Sequence, residues 1–338
     1  MLSIFCLLHN VVIGYAILDA YMARRNSNGD KNQMSLTQQG YAIVVHGGAG
    51  SPRDYDDGCE RAAERAVEEL GISADALEAA IAAVTVMEDD GRFNAGIGSV
   101  LCLDGATVEM DASVMDTKGR LGAIACVQGV KNPVLLARAV AETPHWLLVG
   151  EGAARFAAAI GHPQWTEISQ RQRDAHAKVL KELSGSMPAM PGIDQRAKAF
   201  LRFWNYQKPL ELPENAACDT VGAVVRGPDG HFAVALSTGG SAPSLLGRVG
   251  DTPVIGSGFY AGSAGAVAAT GIGEQIVRHL LARTVYGWID DGMPLQQALE
   301  RGIGLFDPAV PVGLIAVSRT EAGSFSNRDM PQARIVKE

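Results

Sequence analysis

An abrupt change of composition at Thr220 constrains this sequence most strongly. Residues 206–218 contain two prolines and three charged residues, whereas residues 220–225 are apolar and rich in valine. Proline interrupts regular structure, and β-branched residues favour strands. Thr220 is therefore expected where a loop becomes a strand. If the Asp219–Thr220 peptide bond were cut, a free α-amine would stand on the same residue as the hydroxyl, so we treat this bond as a candidate cleavage site.

Composition narrows the class of protein. The chain has 338 residues, enough for one large domain or two small ones, and its 47% hydrophobic and 20% charged residues are ordinary for a soluble globular protein. A net charge of −8 and the lack of a long basic run argue against nucleic-acid binding. The five cysteines are odd in number and lack CxxC spacing, which indicates reduced thiols and predicts a cytoplasmic location.

The first forty residues resemble neither a signal peptide nor a convincing membrane span. Residues 2–18 are mostly apolar, but His9 and Asn10 interrupt them and no basic residue precedes them. Residues 23–40 are polar and are predicted to be disordered. We interpret residues 1–40 as an N-terminal extension, with Met22 or Met34 as alternative first residues, and we predict no membrane partner.

Hydrophobic periodicity predicts an α+β chain. Short apolar runs predict strands at 41–46, 107–116, 121–127, 221–225, 232–236, 312–317 and 324–326. Helical spacing predicts helices at 59–70, 74–87, 132–142, 151–160, 169–183, 195–204, 274–286 and 295–302. The strands come in pairs between groups of helices, which favours a layered α+β domain over alternating βαβ units. Residues 184–194 and 206–218 are expected to be loops in a connector that ends at Asp219.

The chemistry of Thr220 depends on whether a base is available. A threonine hydroxyl is a poor nucleophile unless a base removes its proton, and the seven histidines are dispersed, with no Gly-x-Ser-x-Gly sequence. An α-amine with a reference pKa of about 7.7–8 can serve as that base once Thr220 is N-terminal. The alternative is that Thr220 is an ordinary strand residue.

Three of the glycine-containing motifs that follow Thr220 contain candidate site residues, and each is weak evidence when taken alone. Gly271-Ile272-Gly273 could be a phosphate loop, but it lacks a third glycine and a Lys-Ser/Thr pair. Thr270-Gly271 could be a helix cap. Arg248 and Asp251 could form a surface ion pair. The motifs are Ser237-Thr238-Gly239-Gly240, Gly247-Arg248-Val249-Gly250-Asp251 and Thr270-Gly271-Ile272-Gly273-Glu274.

Taken together and in this order, the motifs resemble the plant-type asparaginase and isoaspartyl peptidase family of N-terminal nucleophile hydrolases. The resemblance runs from His46-Gly47-Gly48-Ala49-Gly50 to near the C-terminus and includes Phe93-Asn94-Ala95-Gly96-Ile97-Gly98 and Val108-Glu109-Met110-Asp111-Ala112. It implies a four-layer αββα sandwich. It also implies self-cleavage into two subunits that together form one domain. The first subunit is residues 41–219, with a flexible linker at about 184–219, and the second is residues 220–338. Two such cleaved units would form a dimer.

The resemblance also implies a role for each site residue. Thr220 would be the cleavage residue and nucleophile, Thr238 would orient its new amine, and Asn94 would support this region. Arg248 would bind the α-carboxylate of a substrate, and Asp251 would bind its α-ammonium. The Thr270 hydroxyl and the Gly271 N–H would bind the substrate and form the oxyanion hole. No organic cofactor is expected. A sodium ion would be held by the backbone carbonyls of Met87, Glu88, Asp90, Phe93, Ala95 and Ile97.

The expected activity is hydrolysis of N-terminal β-aspartyl dipeptides and of L-asparagine to L-aspartate. Two departures from the family pattern bear on it. Residues 241–246 lack the lysine that many relatives have before the Gly-Arg pair, and Asp219 stands where many have glycine. Asp219-Thr220 also occurs in aspartylglucosaminidases, which are one alternative. A threonine aspartase is disfavoured because Asp251 selects a free α-ammonium. An uncleaved, inactive binding protein of the same fold is the alternative from another class.

Overall fold

The computed structural model describes residues 40–183, 203, 205–206 and 220–338, without the side chains of 181–183. Within these residues the chain forms two sheets and eight α-helices. The strands are β1 Tyr41–His46, β2 Met110–Asp116, β3 Leu121–Val127, β4 Leu147–Val149, β5 Thr220–Arg226, β6 Phe232–Thr238, β7 Phe259–Gly262, β8 Gly265–Gly271, β9 Val312–Ser318, β10 Ala322–Ser326 and β11 Gln332–Lys337. The helices are α1 Asp56–Ser73, α2 Ala76–Asp90, α3 Pro133–Val140, α4 Gly150–Ala159, α5 Gln170–Leu183, α6 Gly273–His279, α7 Leu281–Asp290 and α8 Leu295–Ile303.

The larger sheet is built from both sides of Thr220. Its seven strands lie in the order β11-β1-β5-β6-β2-β3-β4, and β5 pairs with β1 on one side and β6 on the other. All these pairs are antiparallel except β3 with β4. The smaller sheet, β10-β9-β8-β7, comes entirely from residues after Thr220. The chain on either side of the candidate cleavage bond therefore shares one sheet.

Strand alternation divides the buried residues into separate apolar clusters. Val221, Ala223 and Val225 of β5 pack with residues of α1, α2 and α3 on one face of the larger sheet. Val224 points the other way and packs with β8 and β9 between the two sheets. A third cluster joins the outer face of the smaller sheet to α7 and α8. Thr220 shares the alternation of Val224, so its side chain is on the face turned toward the smaller sheet.

Most predicted elements are confirmed, including the α+β class and the hairpin of β5 and β6. The predicted helix 274–286 is wrong in one respect, because Leu280 adopts left-handed backbone angles (φ 43°) and separates α6 from α7. Two N–H groups in the first turn of α7 donate to the carbonyls of Gly256 and Ser257, so a tertiary contact satisfies the new helix end. Strand β2 begins later than predicted.

Four strands were not predicted, namely β4, β7, β8 and β11. Strands β7 and β8 are rich in glycine and alanine, which have low strand propensity, although β8 is buried by both of its neighbouring layers. The N-terminal extension, Asp219 and most of the connector, with nearly all of the predicted helix 195–204, lie outside the described residues. None of the helices in the described part combines the length and apolar character needed to cross a bilayer.

Candidate active site

Two threonine hydroxyls lie next to each other at the open end of the β5–β6 hairpin. Thr220 is the first residue of β5 and Thr238 is the last of β6, and antiparallel pairing places them directly opposite each other. Their Oγ1 atoms are 3.2 Å apart, with the Thr220 hydroxyl donating. Both residues are buried, at 8% and 3% exposure. The candidate nucleophile is therefore held by a neighbouring hydroxyl.

His46 is the last residue of β1, the strand that pairs with β5, and its partner on β5 is Gly222. A Cβ atom on Gly222 would stand 2.5 Å from the His46 Nε2 atom, so glycine permits this close approach. Burial lowers the pKa of His46 to about 3, against a smaller opposing effect from the Thr220 backbone, and the ring is therefore neutral at physiological pH. The Thr220 hydroxyl bonds to Thr238 rather than to this ring. Sequence analysis placed His46 at the start of the motif His46–Gly50 but gave it no role in the site.

Asn94 braces the turn that follows Thr238. Its Nδ2 donates to the Gly240 carbonyl at 2.7 Å, and its backbone carbonyl accepts from Gly239 N–H at 2.9 Å. The Asn94 Oδ1 atom also accepts from Val100 N–H at 2.9 Å. A side chain on Gly239 would overlap Asn94, so the glycine is a packing requirement. The structure thus places Asn94 against the turn that directly follows Thr238.

Arg248 and Asp251 lie together near the start of α6. A Cβ atom on Gly273 would stand 2.9 Å from both the Arg248 Nη2 and the Asp251 Oδ1 atoms. The Arg248 side chain is only 17% exposed, and it pairs with Glu274 through Nε–Oε1 and Nη2–Oε2 contacts of 2.8 and 2.7 Å. The alternative of a surface ion pair between Arg248 and Asp251 is therefore wrong. Sequence reasoning named Glu274 in a motif but gave it no role.

The Asp251 carboxyl group is buried, and one of its two oxygens makes no hydrogen bond within the described part of the chain that would offset the loss of water. Its Oδ2 atom has no hydrogen-bond partner among the described residues. Burial raises its pKa to about 7, while its own backbone N–H and Arg248 oppose that rise, and Glu274 and Asp111 add to it. A cation bound beside Asp251 would favour the ionised carboxylate. The group is thus suited to a cationic ligand.

Thr270 and Gly271 end β8 directly before α6. Thr270 Oγ1 accepts a hydrogen bond from Ala49 N–H at 3.3 Å, which ties it to the turn after β1. Gly271 has φ 138°, and a side chain there would overlap the Pro311 carbonyl oxygen. The helix-cap alternative for Thr270 is wrong, because Ile272 is the N-cap and no side chain caps α6.

The predicted residues form two groups, and Arg248 is the one member of either group that lines the small cavity beside the turn after Thr238. Gly239 and Gly240, which follow Thr238, line this cavity together with Arg248. The first group contains Thr220, Thr238 and Asn94, and the second contains Arg248, Asp251, Thr270 and Gly271. The two groups are linked through Asp111, which stands opposite Thr238 in the sheet and acts electrostatically on Arg248.

The residues predicted to bind sodium form a turn folded back on the end of α2. A Cβ atom on Gly96 would stand 2.5 Å from the Glu88 carbonyl oxygen, and one on Gly98 would overlap that of Phe93. These carbonyls fit an oxygen-only site for a hard cation. Among the described residues, no cluster of three or more His, Cys, Asp or Glu side chains could hold a metal. The Glu88 side chain instead accepts from Val134 N–H at 3.0 Å, and burial raises its pKa to about 7.

Several known proteins resemble this chain over most of its length. A family profile described as Asparaginase matches residues 39–336. The chain is 41% identical over 275 residues to a plant-type L-asparaginase of Pyrococcus horikoshii, covering 78% of this chain and 84% of that protein. It is 37% identical over 305 residues to an isoaspartyl peptidase/L-asparaginase of Homo sapiens, covering 86% and 92%. A plant-type L-asparaginase of Pyrobaculum calidifontis is 38% identical over 308 residues, covering 86% and 95%.

Proposed function

The chain belongs to the asparaginase family, and on this premise we propose that it hydrolyses N-terminal β-aspartyl dipeptides and L-asparagine to L-aspartate after cutting its own chain before Thr220. The observation that carries the proposal is the hydroxyl pair of Thr220 and Thr238, 3.2 Å apart at the first position of β5. A nucleophile at this position becomes N-terminal when one peptide bond is broken.

Self-cleavage would begin with attack of the Thr220 hydroxyl oxygen on the carbonyl carbon of Asp219. The bond from that carbon to the Thr220 nitrogen breaks as the ester to the Thr220 oxygen forms, and the nitrogen takes up the proton. Water then hydrolyses the ester, which leaves a carboxylate on Asp219 and a free α-amine on Thr220. The burial of Thr220 next to Thr238 supports this proposal, because both keep the hydroxyl oriented.

In turnover, the new α-amine would take the Thr220 hydroxyl proton as the oxygen attacks the side-chain carbonyl of the substrate. The Thr270 hydroxyl and the Gly271 N–H would stabilise the oxyanion, and one such donor is typically worth about 10²–10³ in rate. The amine or ammonia leaves with a proton, and water hydrolyses the β-aspartyl ester to L-aspartate. The positive φ of Gly271 supports its assignment to the oxyanion hole, since it changes the direction of the backbone at the end of β8.

Recognition would use the charged pair beside the cavity. The planar fork of Arg248 would bind the α-carboxylate, and Asp251 would bind the α-ammonium. The bidentate contact between Arg248 and Glu274 supports the first role, because it orients the guanidinium through Nε and Nη2 and does not use Nη1. The unpartnered oxygen of Asp251 supports the second.

Product binding is expected to strengthen as pH rises through about 7. The buried Asp251 has a pKa raised to about 7, with Arg248, Glu274 and Asp111 as its charged neighbours, so below that pH it is neutral and cannot hold the ammonium. As the pH is raised from about 5 to 8, the inhibition constant of L-aspartate should fall by up to about tenfold per pH unit until pH 7 and then stay constant. Asp251→Asn should bind weakly with a flat profile. A wild-type constant that does not change with pH would exclude this role.

The finer architecture is proposed with the activity. The three apolar clusters support the four layers of an αββα sandwich of the N-terminal nucleophile hydrolase type. The position of β5 between β1 and β6 supports one domain made of residues 41–219 and 220–338. We also propose a dimer of cleaved units, which a sedimentation mass of one unit would exclude. The free thiols of Cys59, Cys102 and Cys126 support a cytoplasmic location, which cell fractionation tests.

A sodium ion is proposed at the turn around Gly96. The backbone carbonyls of Met87, Glu88, Asp90, Phe93, Ala95 and Ile97 would hold it, and the ion would fix the loop that carries Asn94. Replacing sodium chloride with choline chloride at equal ionic strength should therefore lower the melting temperature. Equal melting temperatures in the two salts would count against the site.

The experiment that tests the function combines denaturing mass spectrometry with a substrate panel. Fragments that meet at Asp219 and Thr220 are expected, and a single chain after prolonged incubation would overturn the proposal in favour of an inactive binding protein. The panel contains β-Asp-Leu, L-asparagine and N-acetylglucosaminyl-asparagine. Hydrolysis of the first two is expected, whereas preference for the third would instead indicate an aspartylglucosaminidase.

A further inference from the structure

Asp111 lies between the two groups of the candidate active site. It is the second residue of β2 and stands opposite Thr238 in the sheet, one strand beyond the threonine pair. It is only 2% exposed. Its charged surroundings come from several elements, namely Arg248 and Asp251 on the loop 247–251, Glu109 before β2, Cys126 on β3 and Glu274 on α6. The sequence motif containing Asp111 has no role in the chemistry described above.

The loop 247–251, which carries both recognition residues, is fastened to the end of β2 and β3. Glu109 Oε2 accepts from Gly247 N–H at 2.7 Å. The Cys126 thiol lies 3.8 Å from the Arg248 carbonyl oxygen, within hydrogen-bonding range for sulfur. The Arg248 guanidinium and the Gly250 N–H both favour the ionised form of Asp111. One corner of the larger sheet therefore holds the loop at Gly247 and Arg248.

A β-bulge shapes this corner. The register of β2 and β3 shifts between Met110 and Ala112, and Cys126 takes a left-handed conformation with φ 51°. As a result the Cys126 N–H donates to Asp111 Oδ1 at 2.8 Å. Bulges and left-handed non-glycine residues persist where the surrounding structure requires them and often adjoin functional sites. Here the bulge supplies the hydrogen bond that orients a buried carboxylate.

The second oxygen of that carboxylate is available to the loop. Asp111 Oδ2 has no hydrogen-bond partner in the described part of the chain. Burial raises the Asp111 pKa to about 6, and the Cys126 N–H and Arg248 oppose the rise. A buried carboxylate needs compensating charge, and Arg248 is the cation that the surrounding residues supply.

We propose that Asp111 is a positioning residue for substrate recognition. It is joined to the loop 247–251 through Cys126, whose N–H donates to Asp111 and whose thiol contacts the Arg248 carbonyl, and its buried charge attracts the Arg248 guanidinium toward the sheet that carries the nucleophile. This inference rests on the proposed function. Glu274 binds the Arg248 guanidinium directly from α6, whereas Asp111 on β2 acts on it as a buried charge without a direct ion pair. Strand β2 pairs with β6, and β6 pairs with β5, which carries Thr220. β2 and its bulge therefore set how far Arg248 and Asp251 lie from Thr220.

The test is Asp111→Asn, which keeps an oxygen for Cys126 N–H and removes the charge. We expect KM for β-Asp-Leu to rise about 10–100-fold with kcat changed by less than about threefold, because the hydroxyl pair is untouched. Self-cleavage should be unchanged, and amide hydrogen exchange in residues 247–251 should become faster. An unchanged KM together with unchanged exchange would overturn the proposal.

Asp116→Asn is the matched control on the same strand. Asp116 is also buried, but it accepts from Lys118 and Arg120 N–H groups at the far end of β2. This variant should lose stability without a change in KM. If Asp116→Asn raises KM as much as Asp111→Asn does, the effect is merely structural and the proposal fails.

A second variant covers the case in which Asp111→Asn does not fold. Glu109→Ala removes the acceptor for Gly247 N–H, together with an exposed contact to the Gln128 amide, at a partly exposed position, and should raise KM about 3–10-fold with faster exchange in the loop. No change in either quantity would overturn the proposal. The wild-type protein is assayed in parallel. An uncleaved or inactive wild type would refute the proposed function, whereas loop exchange still reports on the Asp111 contact.

Discussion

A Thr220→Ala variant should remain a single chain and lose essentially all hydrolysis of β-Asp-Leu and L-asparagine. Alanine has no hydroxyl to attack the preceding carbonyl, so neither the cleavage nor the ester intermediate can form. Loss of a nucleophile costs about 10⁴–10⁶ in rate in comparable hydrolases. Intact mass under denaturing conditions and single-turnover rates would measure both effects.

The fold should survive this change. Alanine at this position loses one hydroxyl–hydroxyl bond of 3.2 Å and little volume, which typically costs about 1 kcal/mol of unfolding free energy. The matched control is Thr220→Ser, which keeps a hydroxyl and should still split, more slowly because serine has more rotamer freedom. A Thr220→Ala protein that still yields fragments at Asp219/Thr220 would refute Thr220 as the cleavage nucleophile.

The second large effect is expected at Arg248. Arg248→Lys keeps the positive charge but loses the planar fork, so neither Glu274 nor an α-carboxylate can be bound through two N–H groups. Disturbing a desolvated charge pair costs about 2–5 kcal/mol, and we expect kcat/KM for β-Asp-Leu to fall about 10²–10³-fold. Steady-state kinetics on the cleaved protein measures this effect.

A substrate analogue without the α-carboxylate sharpens the Arg248 test. Wild type and Arg248→Lys should hydrolyse this analogue at similar low rates, because the lost contact was to the missing group. Arg226→Lys is the control, since Arg226 lies on β5 but donates only to the Ser318 and Arg319 carbonyls outside the site. Activity of Arg248→Lys within about twofold of wild type on β-Asp-Leu would exclude the assigned role.

The placement of Thr220 opposite Thr238 follows from local sequence. Two apolar runs flank the turn 227–230, in which Gly230 N–H donates to the Gly227 carbonyl. A short turn fixes the register of a hairpin, and here it pairs Arg226 with Phe232 and therefore Thr220 with Thr238. The composition boundary predicted the start of β5 for the same reason, because strand propensity and turn residues act over only a few positions.

Contacts between distant segments were not predictable in this way. Glu274 pairs with Arg248 across 26 positions, and His46 lies beside Gly222 because β1 pairs with β5. Strand β8 escaped sequence analysis because its alanines and glycines favour no strand in isolation. Alanine and glycine suit β8 because small side chains fit a strand that is covered on both faces. Packing therefore overrode propensity there.

By itself the sequence determined the α+β class, the hairpin that brings Thr220 to Thr238 and, through its motifs, the family. These features depend on short-range geometry and on residue types that are visible along the chain. The tertiary structure alone decided that Arg248 bonds to Glu274, that Asp251 is buried with an unpartnered oxygen, and that a bulge brings the Cys126 N–H to the buried Asp111 carboxylate. The physical reason is that burial, and the charge balance it requires, arise only when two sheets and the helices on them exclude water together.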